Sequence, residues 1–512
     1  MISGATSLRL EATSDTIPPL MKSAPATIAR GLELIALAVL AALLFAGPLA
    51  GGATRADHSF AMVALALLSA GLLAAARAIR PIDDDETRRH ELRQGARLAP
   101  FVWIAAGFIA LVVLQQVELP DWIVRSLDSH AASEHTSARS SVEGLADWED
   151  AEPRIHGATV SLTPERTFHA LAICLGGIAV FFTIAVGVRT RGQLVFLVVV
   201  LLAAGVVQAG LALREVLSGA SEVNGSYPNR NYFAGLLEMV APLAVALTMD
   251  RRIEMRKDMT ARERFFAAVS ETARVGWKVG LFALFIVLGG VIFLSRSRMG
   301  VIGFGIGVLA LAAASAREHG GRWQRRALLA GLSGVVILVL ASVILRDHPT
   351  VARFSLLVSG EDVGAATRVE VWRDAITIFG DHPMLGTGLG SFGAVHSVYQ
   401  SPEYLAPHFE YAHNDWLNLL SDTGIVGFSL AFLAIGLWVY RVLRRRDELR
   451  TYQKGLISGV FAGVLAMLAH SLVDFNMQVP ANAYVFAALL GLGLATSSIH
   501  ELKFVRLKRR NE

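Results

Sequence analysis

The chain has 512 residues, of which 54% are hydrophobic and only 18% charged, and its mean hydropathy is +0.50. A water-soluble domain of this length carries more charge, so the composition excludes an ordinary soluble enzyme. The single cysteine, Cys174, excludes an intramolecular disulfide and is interpreted as a small residue in an apolar segment. The net charge of +4 is modest, so the position of the charges is more informative than their sum.

The apolar residues form long continuous runs. A run of roughly 20 apolar residues spans the hydrocarbon core of a bilayer as a helix, and a helix satisfies its own backbone groups there. We predict about twelve such spans, and the run at 299–315 is the weakest because it is short and rich in Gly and Ala. The predicted spans cover residues 31–50, 59–79, 99–117, 168–187, 193–213, 231–249, 276–294, 299–315, 327–345, 424–442, 455–473 and 482–499.

These runs predict an all-α polytopic membrane protein with two long loops. Residues 1–30 are predicted to be a disordered cytoplasmic tail, and residues 500–512 a basic cytoplasmic tail. Between the tails we expect spans 1–3 in 31–117, a loop in 118–167, spans 4–9 in 168–345, a large loop in 346–423 and spans 10–12 in 424–499. The large loop holds helix and turn patterns, so we expect it to fold as a small cap that carries function.

The distribution of Lys and Arg predicts the orientation. With both termini in the cytoplasm, the basic clusters within 251–278, 441–454 and 503–510 all fall on the inner side. This matches the excess of Lys and Arg found in cytoplasmic loops. We interpret these clusters as topogenic and lipid-facing charge rather than as a nucleic-acid site.

Few arginines fall on the outer side, and several of them lie close to the predicted membrane boundary. Arg230 lies in the segment Tyr-Pro-Asn-Arg-Asn at 227–231, and Arg296 and Arg298 lie in the short turn Ser-Arg-Ser-Arg at 295–298. A guanidinium near hydrocarbon requires a partner, and its planar fork suits phosphate oxygens. Each arginine could instead snorkel to lipid headgroups or pair with a carboxylate. Their setting among Gly, Asn and Ser favours an anion site.

The large loop contains a predicted helix and a glycine-rich turn. Residues 367–379 show helical periodicity, with Arg368 and Trp372 near one face, and Gly380 and Pro383 follow. The sequence Gly-Thr-Gly-Leu-Gly-Ser-Phe at 386–392 could bring backbone N–H groups close to an anion, or it could form a tight turn back to the membrane. It matches neither a phosphate loop nor a dinucleotide fingerprint.

A polar segment, Ala-His-Asn-Asp-Trp-Leu at 412–417, precedes the tenth span. His413 is the best candidate for a general base, because histidine titrates near neutral pH. Asn414 could orient a sugar hydroxyl or satisfy a helix end, and Asp415 could orient the imidazole or cap the helix that follows. Polar residues also mark the end of the eleventh span, namely His470, Asp474 and Asn476. No metal-ligand pattern is present in the sequence, so we predict neither a metal nor another cofactor.

In their order along the chain, these motifs resemble the bacterial O-antigen ligase and polysaccharide polymerase superfamily. The resemblance covers residues 160–500, and the strongest element is His-Asn-Asp-Trp-Leu at 413–417 with Gly424 following. Weaker matches lie at 161–167 and 470–480. The other matching segments are 228–234, 295–300, 368–372 and 381–390.

The resemblance implies a GT-C-type membrane glycosyltransferase that acts without a metal. Such enzymes transfer a glycan from undecaprenyl diphosphate on the periplasmic side of the bacterial inner membrane. The resemblance implies His413 as the catalytic base, and Arg368, Arg230 and either Arg296 or Arg298 as diphosphate-binding residues. Supporting roles are predicted for Asn229, Asn231, Asn414 and Asp415.

Several interpretations of the function are compatible with the sequence. The acceptor is lipid A–core in an O-antigen ligase and another lipid-linked glycan in a polymerase, and the motifs are common to both. Protein O-glycosylation is a third outcome of the same chemistry. A polytopic transporter or flippase would also have about twelve spans. Its polar groups would lie near the midplane of the membrane, whereas the polar motifs of this chain lie on one side. A structural subunit would require none of these arginines and histidines.

Overall fold

A computed structural model of the protein describes residues 19–81, 85–146, 158–220, 222–249, 261–319, 363–400, 409–444 and 446–508. The described residues form α-helices and short 3-10 turns, and their β pairing is limited to one bridge between Leu119 and Ala158. The helices are α1 (Pro19–Leu49), α2 (Ala56–Ile79), α3 (Asp85–Gln116), α4 (Asp121–Leu127), α5 (Ser129–Ala146), α6 (Pro164–Gly187), α7 (Arg191–Leu217), α8 (Arg230–Thr248), α9 (Ala261–Leu294), α10 (Arg298–His319), α11 (Val363–Asp381), α12 (Phe392–Tyr399), α13 (Asp415–Arg444), α14 (Thr451–His470) and α15 (Pro480–Lys508).

In the described ranges, 10 helices are long and apolar enough to cross a membrane. They coincide with ten predicted spans, and the short apolar helix Arg298–Ala314 coincides with the span predicted at 299–315. The span predicted at 327–345 and the first part of the basic cluster at 251–278 lie outside the described residues. Large apolar side chains such as Trp103 (75% exposed) and Leu217 (88% exposed) point away from the protein, as expected of a surface in contact with lipid. The prediction of an all-α polytopic membrane protein is confirmed.

Both predicted tails are partly helical. Helix α1 begins at Pro19, within the predicted disordered tail 1–30, so the helix of the first span extends beyond its apolar run. Helix α15 likewise extends to Lys508, well into the predicted basic tail.

Two of the most buried helices, α8 and α14, pack through a stripe of glycines. Gly455, Gly459 and Gly463 lie one turn apart on α14, and a Cβ at any of them would come within 2.4–2.6 Å of an atom of α8 or of Met249 directly after it. Small residues at four-residue spacing allow two membrane helices to approach this closely. Helix α10 joins the pair, since a Cβ at its Gly303 would lie 2.4 Å from a carboxylate oxygen of Glu238 on α8.

This packing gives the bundle two distinct ends. Helices α8 and α10 begin at one end, where α14 also finishes, and we call it the Arg230 end. Helix α13 starts at the Arg230 end and finishes at the opposite end, which we call the Arg444 end. The starts of α8 and α10 bring their positive helix dipoles close together at the Arg230 end.

At the Arg230 end, the two long loops fold together as one cap. The helix predicted at 367–379 is confirmed as α11, and it packs with α12 around a small core that includes Val371, Ile378 and Phe392. The loop predicted at 118–167 contributes α4, α5 and the segment 158–163. In this loop, the carboxylate of Asp128 accepts a 2.7 Å hydrogen bond from His382, and both side chains are buried.

Two glycines bring the cap into backbone contact with α13. Helix α13 breaks at Gly424 (φ 61°, ψ −168°), a conformation that is essentially restricted to glycine. The break releases the N–H of Ile425, which donates to the carbonyl of Pro383 at 2.8 Å. A Cβ at Gly424 would lie 2.4 Å from the backbone of Met384, and a Cβ at Gly386 would lie 2.4 Å from the backbone of Asp422. The start of α13, and the His413 segment before it, are thereby fixed against the cap.

Candidate active site

Three of the predicted arginines come together at the Arg230 end. Arg230 and Arg298 are the first residues of α8 and α10, and Arg368 lies on α11 of the cap. The charges of Arg368 and Arg230 both act on Arg298, so the three guanidiniums form one electrostatic group. Arg230 also pairs with the exposed carboxylate of Glu222 at 3.0 Å, one of the alternatives that the sequence left open. Three guanidiniums beside two helix N-termini nevertheless favour an anion.

Arg296 differs from the other three predicted arginines. It has a left-handed backbone conformation with φ of 60° in the tight turn before α10. The serines on either side are buried, and the hydroxyl of Ser297 accepts the N–H of Gly300 at 3.1 Å, which closes the turn. Of the two arginines of this turn, Arg298 is the one on which the charges of Arg230 and Arg368 act.

His413 lies at the edge of this arginine group in a strained conformation. Its φ is 50°, its ring packs edge-on against Phe475 at 4.6 Å, and its carbonyl accepts the indole N–H of Trp372 at 3.3 Å. The side chain is 26% exposed, so the imidazole remains accessible. Its buried Nδ1 has no hydrogen-bond partner among the described residues and lies 3.8 Å from a carboxylate oxygen of Asp474.

Asp474, which lies in the turn between α14 and α15, connects these groups. Its carboxylate is 1% exposed, accepts a 2.5 Å hydrogen bond from Asn231 and lies 3.9 Å from the guanidinium of Arg368. Burial alone would raise the pKa of Asp474. The nearby imidazoles of His413 and His470 and the charge of Arg368 outweigh burial and hold this pKa well below its usual range. The carboxyl is therefore ionised at neutral pH.

Behind Asp474 lies a second buried pair. His470 at the end of α14 is 2.9 Å from Glu238 of α8 and 3.8 Å from Asp474, and all three side chains are at most 1% exposed. A carboxylate within an apolar span is costly unless it is paired, and His470 supplies the partner of Glu238. His470 and Asp474 stand out in the sequence at the end of a span, whereas Glu238 was missed, although its position inside the sixth span could have revealed it.

The polar neighbours predicted to support the site have mainly structural contacts. Asn229 accepts the N–H of Asn231 and caps α8, and Asn414 accepts the N–H groups of Trp416 and Leu417 and caps α13. Of the two roles considered for Asn414, the helix end is the one observed.

Asp415 adopts neither of the two roles considered for it. Its carboxylate accepts the hydroxyl of Ser471 at 2.8 Å and the N–H of Met477 at 3.1 Å. It does not contact the imidazole of His413, because the chain turns at residue 413 and directs the carboxylate toward the 471–477 turn. Its contacts connect the start of α13 to the turn that holds Asp474.

The backbone N–H groups of the glycine-rich turn at 386–392 bind side chains of the protein rather than an external anion. The N–H groups of Gly390 and Phe392 donate to the carboxylate of Asp422 at 2.9 and 3.0 Å, and the N–H of Leu389 donates to the side chain of Gln115. Of the two interpretations of this turn, the structure shows the tight turn. The carboxylate of Asp422 occupies the place that an external anion would need.

Beside the site, a cavity of about 1170 Å³ extends into the bundle. At the Arg230 end, its wall includes Tyr411 and Phe475, and Phe475 contacts the imidazole of His413. Arg166 and Glu410 pair with each other at this mouth. Farther in, the lining is mainly apolar and reaches Trp438 and Leu490.

The fold and the site together define a multi-pass membrane protein with an arginine and histidine centre at one end of its bundle. Residues 283–432 match the family model described as Wzy_C, O-Antigen ligase. The matched segment contains Arg298, Arg368 and His413, and it supports the O-antigen ligase superfamily that the motifs predicted. The match supports a ligase or polymerase type of enzyme. No curated protein matches the chain.

Proposed function

We propose that the protein transfers a glycan from undecaprenyl diphosphate to an acceptor hydroxyl, in the manner of an O-antigen ligase with lipid A–core as the acceptor. The observation that carries this proposal is the convergence of Arg230, Arg298 and Arg368 with His413 at one end of the bundle. In this proposal the protein lies in the bacterial inner membrane, both termini are cytoplasmic and the Arg230 end faces the periplasm.

The proposed reaction needs one base and one electrostatic clamp. The acceptor oxygen attacks the anomeric carbon while its proton moves to Nε2 of His413. The bond between the anomeric carbon and the diphosphate oxygen breaks, and its electron pair remains on undecaprenyl diphosphate. The three arginines offset the negative charge that develops on this leaving group, so no metal is required in the proposal.

Asp474 acts as a positioning residue in this scheme. Its carboxylate faces Nδ1 of His413 at 3.8 Å, and this distance can shorten to a hydrogen bond when substrates bind. A hydrogen bond from Nδ1 to Asp474 would leave Nε2 free to accept the proton of the acceptor. The same carboxylate would stabilise the imidazolium that forms.

The apolar cavity supports a lipid-linked donor. The polyprenyl chain would lie among the side chains between Phe475 and Trp438, and the diphosphate would remain near the arginines at the boundary. Such a division matches the general form of ligand sites, which have apolar walls and a few convergent polar groups.

The test is glycan transfer by the purified full chain with native undecaprenyl-diphosphate glycan, with and without lipid A–core. Product that requires lipid A–core supports the ligase, whereas longer lipid-linked chains without it identify a polymerase. His413→Ala and Arg368→Ala are expected to lower the rate at least 100-fold, in line with the loss of a general base or a charge-stabilising group.

His130→Ala and Arg125→Gln are matched controls, since both side chains are exposed on the loop that carries α4 and α5, and both variants should retain the wild-type rate. Full transfer by His413→Ala at normal protein levels would exclude it as the base. No release of undecaprenyl diphosphate by the wild type under either condition would favour a transporter or a structural role.

A further inference from the structure

A second cavity, of about 570 Å³, lies at the Arg444 end of the bundle. Helices α3, α13 and α15 form its walls. Helix α13 begins at Asp415 beside the candidate active site and reaches this cavity at Arg441, a distance of roughly 40 Å at 1.5 Å per residue. The second cavity is therefore separate from the proposed transfer reaction.

Four arginines line this cavity. Arg93 and Arg97 come from α3, and Arg441 and Arg444 come from α13. Among the lining residues the only carboxylate is Glu448, so the wall has an excess of positive charge. Helix α15 contributes the neutral polar residues Ser497 and Ser498, and Leu98 and Leu494 complete an apolar side.

The concave arrangement distinguishes these arginines from charges that serve only to orient the protein. Topogenic arginines need only to reach the headgroup layer from the lipid-facing surface of one helix. Here two helices that are far apart in sequence contribute arginines to one concave pocket, in which Arg97 and Arg441 are half-buried and Arg93 and Arg444 are exposed. Nε of Arg441 is also buried without a hydrogen-bond partner among the described residues, which is costly for a charged donor.

The geometry points to this cavity as a binding site for a phosphate-bearing anion. The planar guanidinium matches phosphate oxygens in a bidentate manner, and four guanidiniums beside one acid give the wall a net positive charge that a phosphate would balance. The headgroup of an anionic phospholipid and a soluble phosphate have this chemistry in common. The apolar side formed by Leu98 and Leu494 suits the first carbons of a lipid.

The experiment is native mass spectrometry of the full chain in neutral detergent, titrated with phosphatidylglycerol, phosphatidylcholine or inorganic diphosphate. The test variant is Arg97→Gln/Arg441→Gln. The matched control is Arg88→Gln/Arg89→Gln, which removes the same charge from exposed positions of α3 that do not line the cavity. We expect the test variant to bind the anion roughly tenfold more weakly, as for the loss of charged hydrogen bonds, and the control to bind like the wild type.

The choice of probe separates the two sources of phosphate. Preference of the wild type for phosphatidylglycerol over phosphatidylcholine, lost in the test variant, identifies a lipid site. Diphosphate binding that is lost in the test variant, without a lipid preference, identifies a soluble ligand. Equal losses in the test and control variants, or no saturable binding of either anion by the wild type, overturn the proposal.

If Arg97→Gln/Arg441→Gln does not fold, a second variant tests the same site. Ser498→Asp leaves all four arginines in place and adds a carboxylate to the wall, where it competes with the phosphate. It is expected to weaken anion binding to a similar degree. Wild-type affinity in Ser498→Asp would also contradict the site.

Discussion

At the scale of single residues, the candidate active site depends on one buried carboxylate. Asp474 lies within 3.9 Å of charged or titratable groups on three other segments, namely Arg368, His413 and His470. Each of these distances exceeds a normal hydrogen bond, while the bond from Asn231 is short at 2.5 Å. The carboxylate thus has a fixed position and retains room for the arginine and the imidazole to tighten around a substrate.

We predict that Asp474→Asn lowers kcat by about 100-fold or more while KM changes little, because the amide cannot compensate the charge of an imidazolium on His413. The measurement is steady-state transfer by the purified variant across pH 6 to 9. Asp381→Asn is the matched control: this carboxylate accepts the hydroxyl of Tyr399 elsewhere in the cap, and the variant should keep its rate and pH profile. Parallel losses in both variants would indicate damage to the cap rather than a role at His413.

The lowered pKa of Asp474 also has a consequence for stability. A carboxyl whose pKa falls on folding contributes stability above its unfolded value near 3.9, and this contribution is lost as the pH falls through the folded value. The free energy of unfolding of the wild type should therefore exceed that of Asp474→Asn by a constant amount above about pH 5, and the difference should shrink in more acidic solution. A difference that grows toward low pH would contradict the ionised state of Asp474.

The sequence predicted the chemistry of single residues better than their contacts. His413 and Arg368 could be selected because their types suit the reaction and their segments are polar beside an apolar span. The approach of His413 to Asp474 could not be predicted, because it depends on how α13 and α14 pack. For the same reason the sequence left two roles open for Asp415, at the imidazole or as a helix cap, and could not predict its contact with Ser471.

At the scale of elements, the spans were the most predictable feature. Each needs enough apolar residues to cross the hydrocarbon, so composition alone located them, as in 59–79 for the observed Ala56–Ile79. The helices of the 118–167 loop were not predicted, because their sequences are polar and lack a strong apolar stripe. They are held by contacts such as Asp128 with His382, which are not visible in local sequence.

The position of the cap depends on the break in α13 at Gly424. We predict that Gly424→Ala destabilises the protein by about 3 kcal/mol or more, since a Cβ would meet the backbone of Met384 and the conformation is disfavoured for any other residue. Gly436→Ala is the matched control on the same helix, where a Cβ has nothing within 4 Å, and it should be neutral or slightly stabilising.

The measurement for this pair is the apparent Tm of each full-length variant in detergent, together with protease sensitivity of the cap. The expected order is Gly436→Ala at or above the wild type, with Gly424→Ala clearly below it and cleaved faster in the cap. Equal Tm values for both variants would mean that the cap does not require close backbone contact with α13.

At the scale of the whole molecule, the two cavities follow one another along the long helix α13, which contributes residues to both. The wall of the larger cavity includes Trp438, and that of the smaller begins one turn later at Arg441. The larger one is mainly apolar and the smaller one is lined by arginines. This polarity agrees with the proposed orientation, in which lipid-linked substrates react on one side and basic residues face the cytoplasm.

The larger cavity offers a test of the donor that uses the single cysteine of the chain. Cys174 of α6 lines this cavity, and Cys174→Trp would fill part of the space proposed for the polyprenyl chain. Exclusion of two methylene groups, at about 0.8 kcal/mol each, corresponds to a KM roughly tenfold higher for the undecaprenyl donor. Val206→Trp is the control, because this position on α7 is 44% exposed toward lipid and lines neither cavity.

A glycan donor with a short prenyl chain separates the two explanations for any loss in Cys174→Trp. If the cavity holds the distal part of the chain, the short donor should react equally well with wild type and variant, and the undecaprenyl donor should distinguish them. Equal loss with both donors would indicate that the tryptophan disturbs α6 rather than the lipid, because a shortened chain does not reach as far as residue 174. Unchanged kinetics with both donors would place the polyprenyl chain outside the bundle, and the three arginines would then bind the diphosphate from the surrounding bilayer.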